Sequence, residues 1–266
     1  MEKKQTTRIF RLADLPFMEI KTGAGTTYAV RKHSHDTLSL GFVEKGSSKI
    51  ICQPHKFNLE THHATLIPPG NIHLCEPDDA DKFIFRMVYI CPDWLASTFE
   101  LDAHKLQPQA RALSKEDIVY KDSFFTPLNS GRDKMVEETR IIFFLAHLFF
   151  SVFSLEPATD KYLTEPETIN RVTEFLDNNF SQEIQLDDLE NLTGISKFSL
   201  LRRFKKRWHL TPHAYVINKR ILMAKKMLKQ NYSVADTAAA CGFFDQSHFV
   251  KTFKNFVGIN PAAYKS

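Results

Sequence analysis

Gln246, Ser247, His248 and Lys251 are hydrogen-bonding side chains just after a glycine turn, while Phe249 and Phe253 fall on the opposite face of the same short helix. Polar groups on one face, apolar rings on the other and a tight turn ahead make a helix-turn-helix, whose second helix enters the DNA major groove. Amides and cations so placed can pair with the donor and acceptor pattern of base edges. The layout occurs twice: Gly194, Phe204, Pro212 and Tyr215 are echoed by Gly242, Phe253, Pro261 and Tyr264, with one extra residue in the second turn. Two such units read as tandem modules of one domain, because a solenoid needs three or more repeats. In the first unit Leu200 and Phe204 are core by spacing, which leaves Lys197, Phe198, Ser199, Leu201, Arg202 and Arg203 as outward candidates. A separate group is His33, His35 and, much later, His73; neutral imidazoles on adjacent strands are good ligands for divalent metals.

These residues need elements to hold them. From about Thr27 to Ile90 the chain reads as short strands. Leu38, Leu40 and Phe42 alternate, Ile50 and Cys52 follow the Gly46 turn, Ala64 to Ile67 stops at Pro68, and Phe83 to Ile90 closes the set. Such spacing predicts a small β-barrel or sandwich. A helical piece is expected near Trp94 to Phe99, then a polar connection to about Arg132. From Lys134 to Phe153 the spacing predicts a helix, apolar nearly all round beyond Ile141 and therefore buried on both sides. Its excess of apolar surface around Phe143, Phe144, Phe149 and Phe150 predicts a dimer contact, with sealing of the barrel as the alternative. Leu155 to Lys161, with Pro157, reads as the linker, and Thr164, Glu165, Pro166 and Glu167 as a capping-box helix start. Pro212 opens a helix to Lys229, with Ile217, Ile221, Ala224 and Leu228 at helical spacing; Ser233 and Asp236 cap the next. At 1.5 Å per residue the helix from Pro212 spans roughly 27 Å, close to the ~34 Å turn of DNA that separates successive major grooves.

The net charge of +4 conceals an uneven division. Residues 196–266 hold 14 Lys or Arg against two acids, Asp236 and Asp245, whereas the remainder hold 21 against 29. A basic surface on a doubled helix-turn-helix points to nucleic acid. Cys52, Cys75, Cys91 and Cys241 are scattered, with no CxxC pair, and read as reduced thiols of a cytoplasmic protein. The start has no apolar signal segment, and the longest apolar run, Ile141 to Leu155, is too short and too polar to span a membrane.

Gly-Phe-x-Asp-x-Ser-His-Phe, then Phe-Lys, Gly and Pro, running from Gly242 to Pro261, resembles the AraC/XylS family of transcription regulators. The resemblance covers roughly residues 165–266, and a weaker likeness reaches back into the first 90. It implies an α+β multidomain chain. Residues 1–158 would form a cupin-like effector-binding β-barrel with dimerisation helices, and 159–266 an all-α DNA-binding domain with helix-turn-helix units at about 186–207 and 233–256. Carried across residue by residue, the family pattern puts base contacts on Phe198, Leu201 and Arg202 in the first unit, and on Gln246, Ser247, His248 and Lys251 in the second. Arg202 suits guanine, Phe198 a thymine methyl and Gln246 adenine; Leu201 departs from the polar residue often found there. Lys205, Arg220 and Lys254 read as phosphate clamps that position without specifying. Two departures loosen the first unit: Glu190 stands where the family has a small alanine, and His209 where the second unit keeps Gly258.

In the barrel, His33, His35 and His73 match three positions of the cupin metal motif, but its glutamate falls on Ser39, so no metal and no cofactor are expected. With Arg31, Arg86 and Tyr89 the histidines read as the lining of an effector pocket. The resemblance implies a sequence-specific transcription activator rather than an enzyme, controlled by a small-molecule effector, with double-stranded DNA, RNA polymerase and a second copy of the chain as partners. The rival reading is a metal-dependent cupin enzyme with a DNA-binding tail. A DNA-repair methyl acceptor is a remote third, against which the cysteine spacing argues.

Overall fold

The computed structural model describes residues 6–11, 15–24, 32–125, 133–156 and 166–265. It divides into two compact units, one of Met1–Arg132 with Arg140–Asp160, the other of Asp133–Thr139 with Lys161–Ser266. Thr27, Arg31, Pro157, Thr164 and Glu165, which carried expectations above, lie outside the described residues.

In the first unit the strands are β1 (Thr6–Arg11), β2 (Met18–Ala24), β3 (Leu38–Lys45), β4 (Ser48–Cys52), β5 (His55–Leu59), β6 (His63–Ile67), β7 (Leu74–Pro77), β8 (Ile84–Ile90) and β9 (Gln109–Ala112). They form an antiparallel six-stranded sheet, β1-β2-β8-β3-β6-β9, and a three-stranded sheet, β5-β4-β7. Side chains of a strand alternate between faces, so the register Ser39↔Tyr89 and Leu40↔Val88 fixes two surfaces. One carries Leu38, Leu40, Phe42, Leu66 and Val88, all buried. Helix α1 (Pro92–Phe99) follows the sheet, and α2 (Lys115–Phe125) and the later turns of α3 (Lys134–Ala146) cover this surface with aromatic rings. Phe42 meets Phe125 and Phe144, and Phe124 stacks on Phe144 at 3.9 Å. The other surface faces inward, where Val43, Ile67 and Phe85 join Ile50 and Leu59 of the small sheet. The space left in that interior is only about 30 Å³, room for a water or two.

Several elements of the first unit lie where no strand or helix was expected, among them a single 3-10 turn at Ala103–Lys105. β1 and β2 precede the predicted first strand, and β9 and α2 occupy the supposed polar connection. The apolar residues of α2 do not recur at helical spacing. The helix is instead held by a reciprocal cap, in which Ser114 N donates to Asp117 Oδ2 and Asp117 N to Ser114 Oγ, and by a buried ion pair, Lys121 Nζ to Glu44 Oε2 at 2.6 Å. The helix expected over Lys134–Phe153 is α-helical to Ala146 and widens to a π-helix over His147–Val152. Ile141, Ile142, Phe144, Leu145, Leu148 and Phe149 on it are all buried within one chain.

The second unit continues with α4 (Pro166–Asn179), α5 (Leu186–Thr193), α6 (Lys197–Trp208), α7 (Pro212–Lys229), α8 (Val234–Ala240), α9 (Gln246–Val257) and α10 (Pro261–Lys265). α4 braces the first helix-turn-helix: Trp208 Nε1 donates to Thr173 Oγ1, Tyr215 Oη to Asp177 Oδ1, and Arg171 to the Leu192 carbonyl. α7 gives Ile217, Ile221, Ala224, Met227 and Leu228 to the core of the second, around Phe243, Phe249 and Phe253.

Candidate nucleic-acid interface and barrel cleft

Each helix-turn-helix is built from local signals. α5 ends on Gly194 at φ 70°, and the Ser196 side chain caps α6 by accepting the Ser199 amide. α8 is capped by Ser233, and α9 by Asp245, whose Oδ1 accepts the His248 amide at 2.6 Å. Gly242, in the second turn, has φ 76°, and a Cβ there would stand 2.2 Å from the Ser181 carbonyl oxygen. Only glycine fits both the left-handed backbone and that approach. The first recognition helix, α6, ends on His209 in the left-handed region at φ 57°, matching Gly258 at φ 90° after α9.

On α9 Gln246, Ser247, His248, Lys251 and Lys254 are exposed while Phe249 and Phe253 are fully buried, so one face is free to meet DNA. Phe244, just ahead of the helix, is 94% exposed, the barest large apolar side chain among the described residues, and the sequence pattern did not single it out. On α6 Arg202 and Lys205 are exposed, and Phe198 is half-buried with the Arg202 guanidinium 5.9 Å over its ring.

Two assignments change. Leu201 is wholly buried, so it is a core residue of the first unit and not a base contact. The 3.6-residue period puts it beside Leu200 and Phe204 on the inner face once α4 closes over that side. Arg220 is no phosphate clamp: it is buried, its Nε donating to Phe180 O at 2.6 Å and its Nη2 to Gln182 O at 2.8 Å. It satisfies the carbonyls at the end of α4. Lys197, an outward candidate by spacing, is buried too, with Nζ 2.7 Å from both Glu138 Oε1 and Asp187 Oδ1. Half-buried Glu190 belongs to the same cluster. Burial raises its carboxyl above the ordinary glutamate value, Lys197 opposes the shift, and Asp187 and Glu138 add to it.

In the first unit a cleft of about 650 Å³ opens beside β1 and β2, lined among others by Arg11, Glu19, Lys21, His35, Tyr89 and Cys91. Register puts Glu19, Lys21 and Tyr89 on the same surface of the sheet as Ser39 and Val43. Of the expected pocket residues, His35 and Tyr89 line it. Arg86 does not: it lies on the opposite surface, with Nε 3.3 Å from Glu44 Oε1 and its guanidinium over Phe125. Arg11, Glu19 and Lys21 were missed because β1 and β2 were not read as strands.

His33, His35 and His73 do come together. His33 and His73 are paired by a β-bridge, and the ligating atoms of all three lie within 4.8 Å of one another. Burial, then the neighbouring His73 and His33, push His35 down to about 4, and burial likewise lowers His73. Both rings are therefore neutral at physiological pH. Ser39, where the metal motif has glutamate, is buried with its hydroxyl oxygen unpartnered. Burial pushes the Cys75 thiol up to about 12 and that of Cys241 up to about 11, and raises that of Cys52, the opposite of the lowering that activates a thiol nucleophile.

Family comparison agrees with this division of labour. Residues 189–266 match the model of a helix-turn-helix domain, and residues 18–123 that of an AraC-like ligand binding domain. The chain belongs to the AraC family of transcription regulators. It is 28% identical over 245 residues to the HTH-type transcriptional regulator YbfI of Bacillus subtilis, covering 91% of this chain and 89% of that one. It is 23% identical over 255 residues to the HTH-type transcriptional activator RhaS of Escherichia fergusonii, covering 88% and 86%. Among solved structures, the DNA-binding domain of AdpA in complex with a target DNA is 25% identical with a TM-score of 0.36, covering 37% of this chain and 89% of that domain. The regulator therefore combines a ligand-binding domain with a DNA-binding helix-turn-helix domain. Among its described residues no helix is long and apolar enough to cross a membrane.

Proposed function

We propose that this regulator activates transcription in the cytoplasm when a small polar molecule occupies the cleft beside His35 and Tyr89. The observation that carries the reading is the contrast between the two cavities of the first unit: the interior between the sheets is nearly full, while the cleft is about 650 Å³ with cationic, anionic and phenolic groups around it. A concave site with a few convergent polar groups suits a metabolite. On the DNA side, Arg202 and Phe198 of α6 and Gln246, Ser247, His248 and Lys251 of α9 read bases, while Lys205 and Lys254 hold phosphates. Activation is the role named for the relative RhaS, and in this chain it would call for a contact with RNA polymerase.

A homodimer through α3 belongs to this reading: Phe144 and Phe149 are buried within the chain, but Phe143 and Phe150 are only half-buried and leave apolar surface for a second copy, which sedimentation of the full chain tests. The test of function is to recover the genomic fragments the full chain binds, then to measure its affinity for them with and without candidate metabolites. A metabolite that shifts both melting temperature and DNA affinity, and fails to do so in Tyr89→Ala, supports the proposal. DNA binding indifferent to every metabolite would leave a regulator without an effector and overturn it.

A further inference from the structure

We propose that His33, His35 and His73 bind one divalent first-row transition metal, with zinc the best match, leaving an open coordination position toward the cleft.

The geometry is partly made before the ion arrives. His33 N donates to His73 O at 3.0 Å and His73 N to His33 O at 2.8 Å, so the backbones carrying two of the ligands are clamped together. Ring centroids of His33 and His73 are 4.4 Å apart, those of His33 and His35 4.9 Å, and those of His35 and His73 5.3 Å.

The proton positions fit as well. His73 Nδ1 lies 2.9 Å from the Asn71 carbonyl oxygen. A carbonyl only accepts, so Nδ1 carries the hydrogen and Nε2 is left with its lone pair. This is the outer hydrogen bond that metal-ligating histidines commonly make. His35 Nε2 is buried with no hydrogen-bond partner, a cost that a cation in the cluster removes.

The donor set selects the ion. Three imidazoles without a carboxylate or thiolate suit zinc and its later first-row neighbours rather than magnesium or calcium. Three protein ligands and a free fourth position are the pattern of an open zinc site. Zinc–nitrogen bonds of about 2.0–2.1 Å set tetrahedral nitrogens roughly 3.3 Å apart, so the rings close by about an ångström or more from their present spacing. Neutral ligands leave the full dipositive charge on the ion, and His35 also lines the cleft. The open position therefore favours an anionic oxygen, such as the carboxylate of a small organic acid. The site stands independently of how the chain reads DNA.

The test uses the tag-free full chain, stripped with EDTA and titrated with Zn²⁺ against a chromophoric chelator, and with Co²⁺ followed by visible absorption. We expect one equivalent per chain, visible cobalt bands of a low-coordinate nitrogen site, and weakening by tenfold or more, roughly, in His33→Ala and His35→Ala. His104→Ala, at an exposed histidine elsewhere, should bind as the unaltered chain does. His73 is buried and is left unsubstituted; Zn²⁺ should also raise the melting temperature of the unaltered chain, and raise it less in His33→Ala and His35→Ala. Failure of the unaltered chain to take up either ion overturns the proposal, as does binding by His33→Ala and His35→Ala equal to the unaltered chain. DNA affinity measured on the same samples keeps that failure distinct from failure of the regulator reading.

Discussion

His33 and His73 each donate a backbone amide to the other's carbonyl, at 3.0 and 2.8 Å, and this exchange brings distant segments of the chain to one end of the barrel. His35, two residues along the first segment, turns its ring toward both, and its centroid lies 4.9 Å from that of Tyr89. A short bridge thus gathers a nitrogen-rich cluster whose His35 lines the cleft beside β1 and β2.

Base reading and phosphate holding should separate by mutation. Arg202→Ala and Gln246→Ala are each expected to weaken operator binding by roughly 1–3 kcal/mol and to relax preference at positions about ten base pairs apart. Lys254→Ala should weaken all sequences alike and lower the salt slope by about one unit. Titrations against operator variants measure this; equal losses on every sequence for Arg202→Ala and Gln246→Ala would mean that both side chains touch only phosphate.

Leu201→Ala and Arg220→Met should damage stability and leave specificity alone. Leu201 is fully buried, so its truncation is expected to cost about 2–5 kcal/mol. Removing the Arg220 guanidinium strands the Phe180 and Gln182 carbonyls and should cost about 2–3 kcal/mol. Urea unfolding reads the losses. A salt slope for folded Arg220→Met one unit below that of the unaltered chain would restore Arg220 as a phosphate clamp.

Three left-handed positions form a graded series. Gly242→Ala meets both an unfavourable φ and the Ser181 carbonyl and should cost more than about 2 kcal/mol. Gly258→Ala has the φ alone, with nothing within 4 Å of the added carbon, and should cost about 1 kcal/mol. His209→Gly relieves the same strain at the end of α6 and should stabilise by up to about 1 kcal/mol. Thermal melts that fail to rank Gly242→Ala as the worst of the three would contradict the close approach to Ser181.

Glu190 gives a pH-dependent prediction. Its folded-state value is raised by burial, so the folded chain holds that proton more tightly than the unfolded chain. Stability is then lost as pH rises from the ordinary glutamate value through the raised one. Glu190→Gln should therefore be the more stable chain at pH 7, by no more than about 1 kcal/mol for a half-exposed group, with the difference closing in acid. Equal stability across the whole range would show that Lys197 cancels the burial cost.

The sequence by itself determined the parts held by neighbours along the chain. Gly194 and Gly242 ending a helix, Ser196, Ser233 and Asp245 opening one, and the full length of α7 from Pro212 to Lys229 are set by backbone strain, capping and helical period within a few residues. His209 in the left-handed region belongs with them, since the repeat aligns it with Gly258. What only the tertiary structure decided depends on what lies across from a residue. Period alone leaves Leu201 and Arg220 open to either face; α4 and the Phe180 and Gln182 carbonyls draw them inside. β1 and β2 carry weak alternation and exist as strands because β8 offers β2 an unpaired edge. α2 has no helical apolar stripe and is fixed by the Lys121–Glu44 pair. The histidines were legible as residues, but their meeting was not: β-bridge hydrogen bonds between distant segments bring His73 to His33, and no local propensity encodes that closure.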